Sequence, residues 1–295
     1  MSRWFWRIAE VTLSVCWRKE VSSPRSGDLG WDRSFRTRTG PAAHTIEIQL
    51  GQPSQWQKLG ADGWVFSSAG VWAAFRWEAG WGFTSPAPSV GRWKRLLVWS
   101  PHHGRAELWL DPSLPGEASK GGLTHCDPLQ NLTLPFFTAL FAGHQGILVH
   151  AAAVEVDGQA WLFAGPSGSG KSHWSRQWQE RGMIVLDEDR VVLRQLNGQV
   201  WAFGTPWHPE PRLCSPQGAP LERIFFLRQA DPDAVQESRP AAAATLLLRS
   251  AQLPIYDPEG TQAVLDVVGE AATQVRSFLI GSMTDDRLLE RLTML

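Results

Sequence analysis

The most informative segment of this 295-residue chain reads Gly165-Pro166-Ser167-Gly168-Ser169-Gly170-Lys171-Ser172. It matches the pattern G-x-x-x-x-G-K-[ST] at every specified position. Glycines let the backbone curl until several N–H groups point inward, and the start of a following helix adds its positive end. Such a cradle fits phosphate oxygens. The segment therefore predicts a phosphate-binding loop, and a fortuitous glycine-rich turn is the alternative.

The flanking sequence favours the phosphate-binding loop over a chance turn. An apolar stretch at 159–164 leads straight into the glycines, and Asp157-Gly158 before it is typical of a tight hairpin. Residues 171–181 have helical character, and Gly182 is suited to end a helix. The remaining predicted elements of this half are strands at 147–156, 183–186, 191–196, 199–203 and 224–227, and helices at 129–144, 241–249 and 260–270.

Two side chains of the loop have predicted chemical roles. Lys171 places a point charge at the β- and γ-phosphates, and the Ser172 hydroxyl is suited to coordinate Mg²⁺. We therefore expect ATP and Mg²⁺ as the cofactors. Trp174 and Trp178 lie four residues apart on one face of the following helix. Core packing is the preferred interpretation for them, with stacking on a nucleotide base as the alternative.

An acidic run, Asp187-Glu188-Asp189, follows the next apolar strand. Carboxylates at that position can hold Mg²⁺ or accept a proton from an attacking hydroxyl. A solvated acidic turn is the alternative. The acidic run is favoured as a site because the helix after the phosphate loop returns directly into this strand, which brings the strand end beside a bound triphosphate.

His150 and the segment 204–212 supply the other candidate site residues. His150 lies on the strand before the hairpin, where it could stand beside the loop or be an ordinary core histidine. The proline-rich segment gathers His208, Glu210 and Arg212, and it fits a substrate-facing loop and a surface connection equally well. Arg212 is the best candidate in it for holding phosphate charge in a transition state.

From His150 to Asp189 the chain resembles the catalytic domain of HPr serine kinase/phosphorylase, which is grouped with the ATP-dependent phosphoenolpyruvate carboxykinases. The matching pieces are Val149-His150-Ala151, Asp157-Gly158, Trp161-Leu162-Phe163, the phosphate loop, Arg181-Gly182 and Glu188-Asp189-Arg190-Val191. The resemblance covers about 40 residues and extends in weaker form to Leu227. It is closest to the shorter HPr-kinase-like proteins found beside peptide-modification genes.

The resemblance implies an α+β fold in which a mixed, largely antiparallel sheet carries the kinase core. It implies an acidic general base for a hydroxyl, aided by His150. Glu188 takes the place of the first Asp of the family's acidic pair and Asp189 that of the second, which leaves Glu188, Asp189 and Asp187 open as the base and Ser172 with Asp189 as metal ligands. Glu210-Pro211-Arg212 corresponds to the family's Glu-x-Arg. The family's hexamers suggest a homo-oligomer.

These features lead to an ATP- and Mg²⁺-dependent kinase acting on a hydroxyl of a small molecule or peptide. HPr itself is not implied as substrate, because the family's C-terminal docking motif has no match. One alternative is a nucleotide-binding regulator or scaffold without turnover, which the Glu for Asp exchange at 188 favours. The other is a shikimate kinase-like enzyme, since Asp187-Glu188-Asp189 contains the D-x-D of that class.

Residues 1–125 are predicted to form a β-rich region, followed by the kinase-like domain at 126–295. Twelve of the seventeen tryptophans lie before residue 110, and a Trp-filled β core is preferred over an aromatic binding surface. Strands are predicted at 6–15, 44–50, 63–66, 71–77, 95–99 and 106–110, and a loop or a poorly ordered excursion at 20–43.

Charge and cysteine content exclude several functional classes. The formal net charge is -1, from 28 basic and 29 acidic side chains, so neither a nucleic-acid partner nor a membrane surface is expected. Three scattered cysteines argue against disulfides and zinc, and predict buried free thiols. The apolar stretch after Arg3 and Arg7 is short for a signal peptide, and no run of 18 apolar residues occurs. We expect a cytoplasmic protein.

Overall fold

The computed structural model describes residues 2–18, 33–37, 42–50, 63–78, 80–85, 93–111, 129–207, 213–228, 235–281 and 286–295. The chain divides into two compact units, Met1–Leu140 and Phe141–Leu295. In the described ranges it is a mixed, sheet-rich α+β protein with five α-helices. The predicted boundary at 125/126 falls outside these ranges and stays a prediction.

A nine-stranded mixed sheet forms the body of the N-terminal unit. Its strands are β1 (Ser2–Ile8), β2 (Val11–Trp17), β3 (Arg36–Thr37), β4 (His44–Leu50), β5 (Trp64–Ser68), β6 (Trp72–Trp77), β7 (Gly80–Ser85), β8 (Arg95–Ser100) and β9 (Arg105–Leu110). They are arranged in the order β3-β1-β2-β4-β9-β8-β7-β6-β5. The pairs β2–β4 and β4–β9 are parallel, and the other neighbours are antiparallel.

One predicted strand of this unit is wrong. Residues 6–15 do not form a single strand, because the chain reverses at Ala9 and Glu10, which both have positive φ (48° and 62°). The result is the β1–β2 hairpin, in which Ile8 pairs with Val11. The strand β7 was not predicted, because its alternate glycines Gly80 and Gly82 conceal the period-two pattern.

The tryptophans of this unit act mainly as core residues. Five of them are at least 96% buried: Trp6, Trp17, Trp81, Trp93 and Trp99. Trp99 also meets Phe136 edge to face, with ring centroids 5.6 Å apart. The predicted Trp-filled β core is therefore confirmed for these positions.

The C-terminal unit combines an eight-stranded sheet with helices. Its strands are β10 (Gly146–Val156), β11 (Gln159–Ala164), β12 (Ile184–Asp187), β13 (Arg190–Leu196), β14 (Gln199–Phe203), β15 (Gly218–Arg228), β16 (Val235–Glu237) and β17 (Arg276–Gly281). The helices of the chain are α1 (Thr133–Ala142), α2 (Lys171–Glu180), α3 (Pro240–Ser250), α4 (Pro258–Gln274) and α5 (Asp286–Thr293). The division between the units falls within α1.

Five strands of the C-terminal unit pair in a closed circuit, β11-β10-β13-β14-β15 and back to β11. The two longest strands, β10 and β15, make this possible because each changes partner along its length. β10 pairs first with β13 and then with β12 on one edge and β11 on the other. β15 pairs first with β14 and then runs parallel to β11 and β17. The sheet is thus mixed, as predicted.

Strand β11 is buried on both faces, and it leads into the glycine loop. Leu162 and Ala164 belong to the apolar cluster that contains residues of α3 and α4. Trp161 and Phe163 belong to a second cluster, which contains residues of α2 and α5. Since alternate side chains of a strand point to opposite faces, this strand is held from both sides. The loop that follows it therefore starts from a fixed position.

Helix α2 packs on the sheet through the two tryptophans that the sequence assigned to the core. Trp174 is fully buried and stacks on Phe163 at a ring-centroid distance of 5.2 Å. Trp178 is 97% buried and meets Trp161 edge to face at 5.1 Å. Core packing is therefore confirmed for both tryptophans.

The predicted thiols and the absence of a membrane span can be compared with the described residues. Cys16 and Cys214 are buried and neither forms a disulfide, and Cys126 lies outside the described ranges. None of the helices in those ranges has both the length and the apolar character needed to cross a bilayer.

Replacing Gly204 with alanine is expected to destabilise the C-terminal unit. A Cβ at this position would collide with the carbonyl oxygens of Leu186 and Ser215. We expect Gly204→Ala to lower the free energy of unfolding by about 1–3 kcal/mol, measured by urea titration. The control is Gly269→Ala, within α4, whose added Cβ meets nothing within 4 Å. That variant should gain about 0.5–1 kcal/mol, and equal effects of the two variants would contradict the packing described here.

Candidate functional site

A cleft of about 510 Å³ opens at the end of β11. It is lined by His150, Ser167, Gly168, Gly170, Lys171, Ser172, His173, Glu188 and Asp189. Residues predicted from three separate segments, namely the glycine loop, the acidic run and His150, therefore line one cleft. His173 was not predicted to be part of it.

The glycine loop curls as its sequence requires. Gly168 and Gly170 have φ values of 75° and 96°, which residues with a side chain rarely adopt. A Cβ at Gly168 would meet nothing within 4 Å, so the space beside the loop is open. A Cβ at Gly165 would lie 2.6 Å from Ser169 Oγ and 3.0 Å from Leu227 Cβ. The glycine at 165 thus lets the loop lie directly against β15.

Lys171 holds the loop in shape while it faces the cleft. Its Nζ donates hydrogen bonds to the carbonyl oxygens of Gly165 (2.9 Å) and Pro166 (3.0 Å). An ammonium group has three donors, so one remains for an anion in the cleft. Burial lowers the pKa of Lys171, and the charge of Asp189 opposes that shift.

Helix α2 begins at the loop with its N–H groups directed toward the cleft end. The amides of His173 and Trp174 both donate to the carbonyl of Gly170, at 3.0 Å each. The preceding amides of Lys171 and Ser172 come before the helical hydrogen-bond ladder, where a helix leaves N–H groups without intrahelical acceptors. These groups and the positive end of the helix macrodipole favour an anion at this place.

Asp187 is the structural member of the acidic run. It is 1% exposed, and its carboxylate accepts four hydrogen bonds of 2.9–3.0 Å. The donors are the amides of Asp189, Arg190 and Thr205 and the hydroxyl of Thr205. Burial raises the pKa of Asp187 to about 6, and these hydrogen bonds oppose the rise. The carboxylate holds the turn that presents its two acidic neighbours.

Asp189 and His150 stand together on one wall of the cleft. His150 Nε2 lies 3.4 Å from Asp189 Oδ1, and Arg190 approaches the other carboxylate oxygen to 3.7 Å. The pairing of β10 with β13 places His150 opposite Arg190. Burial and then the charge of Lys171 lower the pKa of His150, Asp189 raises it, and Arg190 lowers it. Burial and the charge of Lys171 thus favour the neutral form of the imidazole.

A contact with Ser175 of helix α2 fixes the position of the Glu188 side chain. The Ser175 hydroxyl is fully buried and lies 3.3 Å from Glu188 Oε2 and 3.1 Å from the carbonyl of Ser172. Ser175 was missed in the sequence, although it follows Ser172 by one helical turn and so shares its face of the helix.

The segment 204–212 is only partly described. Thr205 is buried and binds Asp187, a role that no sequence motif indicated. His208, Glu210 and Arg212 lie outside the described residues, so the predicted role of Arg212 stays a prediction.

Comparisons with known proteins find similarity to a family model and to solved structures. The family described as "SynChlorMet cassette protein ScmC" matches residues 129–266, somewhat less than half of the chain. Among solved structures, the HPr(Ser) kinase/phosphatase from Coxiella burnetii matches at 16% identity and a TM-score of 0.29, covering 50% of this chain and 97% of that chain. At that TM-score the likeness is remote and says nothing about chemistry. A comparison with curated proteins finds no match.

The oxygen donors of the cleft fit Mg²⁺ arriving with a nucleotide. Ser172 supplies a hydroxyl, and Glu188 and Asp189 supply carboxylates. Among the residues that the structure describes, no three His, Cys, Asp or Glu side chains converge into a metal cage. Mg²⁺ is commonly bound through one or two carboxylates together with substrate phosphates. The donor set matches that arrangement.

Asp187→Asn is expected to destabilise the acidic turn. The asparagine oxygen can accept from Asp189 and Arg190, but its NH₂ group then faces the Thr205 amide, which can only donate, even if the Thr205 hydroxyl turns to accept. A buried donor without an acceptor costs about 1–3 kcal/mol, which should appear as a lower urea midpoint. Asp157→Asn, at the exposed hairpin turn, is the matched control and should change stability by less than about 0.5 kcal/mol. Equal urea midpoints for the two variants would contradict the structural role of Asp187.

Proposed function

We propose that this protein is an ATP- and Mg²⁺-dependent kinase that transfers the γ-phosphoryl group to a hydroxyl of a small molecule or peptide. The observation that carries the proposal is the convergence of the glycine loop, Glu188, Asp189 and His150 on one cleft. Bound ATP would supply the phosphoryl group, and Mg²⁺ would neutralise charge on its β- and γ-oxygens. The core is proposed to be of the HPr kinase and phosphoenolpyruvate carboxykinase type.

The loop residues bind and orient the triphosphate. The curled backbone at Gly168 and Gly170 leaves room for phosphate oxygens beside the amides at the start of α2. Lys171 adds charge at the position where its two hydrogen bonds to the loop hold it. Positioning of this kind accounts for most of the catalysis of phosphoryl transfer, because the chain itself contributes little covalent chemistry.

Asp189 and Glu188 are proposed to have different roles, in metal binding and in proton transfer. Ser172 and Asp189 are the proposed metal ligands, and His150 positions the Asp189 carboxylate from 3.4 Å away. Glu188 is the proposed acceptor of the proton from the attacking hydroxyl. The contact with Ser175 Oγ, 3.3 Å from Glu188 Oε2, holds its side chain in the cleft.

Nucleotide binding is tested by Lys171→Met. We expect the dissociation constant for ATP with Mg²⁺, measured by calorimetry, to rise at least about tenfold, since a charged donor at the phosphates is lost. Lys94→Met removes an exposed lysine from the N-terminal unit and serves as the matched control. If both variants bind ATP as the wild type does, the glycine loop is not the nucleotide site.

Transfer is tested by Glu188→Gln, with ADP formation and phosphorylated products measured against a panel of hydroxyl acceptors. Loss of a general base should lower kcat by about 10²–10⁴ while ATP binding persists. Glu180→Gln, exposed on α2, is the control and should turn over normally. Unchanged turnover in Glu188→Gln would remove Glu188 as the base and leave Asp189, whose conversion to Asn is the next variant to measure.

A second candidate function is nucleotide-gated binding without turnover. The glutamate at position 188 favours it, because the resembling family has aspartate there and a longer side chain moves the proton acceptor outward. Tight ATP binding with no ADP formed and no acceptor modified would support this function and exclude the kinase.

A further inference from the structure

One residue that lines the candidate cleft has no part in the chemistry proposed above. His173 follows Ser172 in the first turn of α2, and its side chain is exposed. Its backbone amide donates to the carbonyl of Gly170 at 3.0 Å, which fixes the residue at the start of the helix. Neither a hydrogen bond nor an ion pair to another described residue engages the imidazole. The ring is therefore open to a ligand in the cleft.

The other aromatic rings near the cleft are already engaged. Trp174 and Trp178, which the sequence offered as rings for stacking on a base, are both buried in the core beneath the helix. His150 lines the cleft, but it lies 3.4 Å from Asp189 on the proposed metal-binding side. Among the described residues that line the cleft, His173 is thus the ring that remains for a nucleoside.

The geometry of the helix places His173 on a different side of α2 from the carboxylates. Successive residues of an α-helix are rotated by about 100° around its axis. Ser175, whose hydroxyl lies 3.3 Å from Glu188, is therefore rotated by about 160° from His173. Trp174, which faces the sheet, is rotated by about 100° from it. His173 consequently points away from both the acidic turn and the sheet.

This placement matches the direction that a nucleotide takes in the proposed reaction. The γ-phosphate faces Glu188 and the acceptor hydroxyl, and Mg²⁺ lies at Ser172 and Asp189. The nucleoside is at the other end of the triphosphate, so it leaves the cleft on the side away from the carboxylates. His173 lies on that side of the helix.

We propose that the ring of His173 stacks on the nucleoside of the bound triphosphate and adds affinity that the glycine loop does not supply. This inference rests on the proposed nucleotide site. Removing an aromatic ring that stacks on a base weakens binding by about fivefold to a hundredfold. Such a contact depends little on which base is bound, because every base has a π-face. His173 is therefore a binding residue that takes no part in phosphoryl transfer.

The experiment is calorimetric titration of the full chain with two probes, each in the presence of Mg²⁺. The probes are ATP and inorganic tripolyphosphate, which has three linked phosphates but no nucleoside. The test variants are His173→Ala, which removes the ring, and His173→Phe, which keeps an aromatic ring without its nitrogen atoms. The matched control is His102→Ala, which removes an exposed histidine from the N-terminal unit.

We expect His173→Ala to bind ATP at least about fivefold more weakly than the control variant does. Its affinity for tripolyphosphate should equal that of the wild type, which would also show that the glycine loop is intact in the variant. His173→Phe should bind ATP within about threefold of the wild type, because stacking needs only the ring.

Three results would overturn the inference. The first is wild-type affinity for ATP in His173→Ala. The second is an equal loss of affinity for both probes, which would assign the imidazole to the phosphates. The third is ATP binding as weak in His173→Phe as in His173→Ala, which would assign it to a hydrogen bond.

Failure of the nucleotide site itself gives a different result. In that case the wild type binds neither probe, or Lys171→Met binds both as the wild type does, and the stacking contact fails with the site. If Lys171→Met weakens both probes while His173→Ala weakens neither, the nucleotide site stands and the stacking contact alone is wrong.

Discussion

The buried carboxylate of Asp187 is the interaction on which the cleft depends. It lies at the end of β12 and gathers the amides that follow it in the chain, and it also binds Thr205, which follows β14. Two separate segments are thereby tied to one point. The Asp187 carboxylate also fixes the conformation of the turn that carries Glu188 and Asp189, because the backbone amides of Asp189 and Arg190 donate to it. Burying this ionisable group costs free energy, and its four hydrogen bonds offset part of that cost, since the pKa of Asp187 is still raised to about 6.

The second constraint is the strand that leads to the glycine loop. Because β11 is covered on both faces and paired on both edges, the loop starts from a backbone that has little freedom to move. The loop itself contains the residues that need freedom, namely glycines at positive φ. A rigid strand followed by a permissive turn lets Lys171 reach back to the carbonyls of Gly165 and Pro166. Lys171 thus stabilises the loop through these hydrogen bonds and also lines the cleft.

Several local features of the C-terminal unit were predicted from the sequence, whereas β16, β17 and α5 were not. The loop, the hairpin at Asp157-Gly158 and the packing of Trp174 each follow from local chemistry, so the pattern alone was sufficient. Asp187 could not be separated from its acidic neighbours, since burial and the partner Thr205 depend on strand pairing. Ser175 was missed for the same reason. In the N-terminal unit, the turn at Ala9 and Glu10 contains neither glycine nor proline, so the sequence gives no turn signal there. The turn is recognised in the structure by the positive φ values of both residues.

The closed circuit of strands also bears on how the chain reaches its native state. Its last pairing joins β11 to β15, which the sequence places on either side of α2, β12, β13 and β14. Such long-range pairing is slow, because the intervening chain must be ordered before the contact stabilises it. A ribosome that has made only the segment up to β14 has already supplied every glycine of the loop. It has not yet supplied β15, the strand against which Gly165 packs, so the glycine loop reaches its final packing only after β15 has been made.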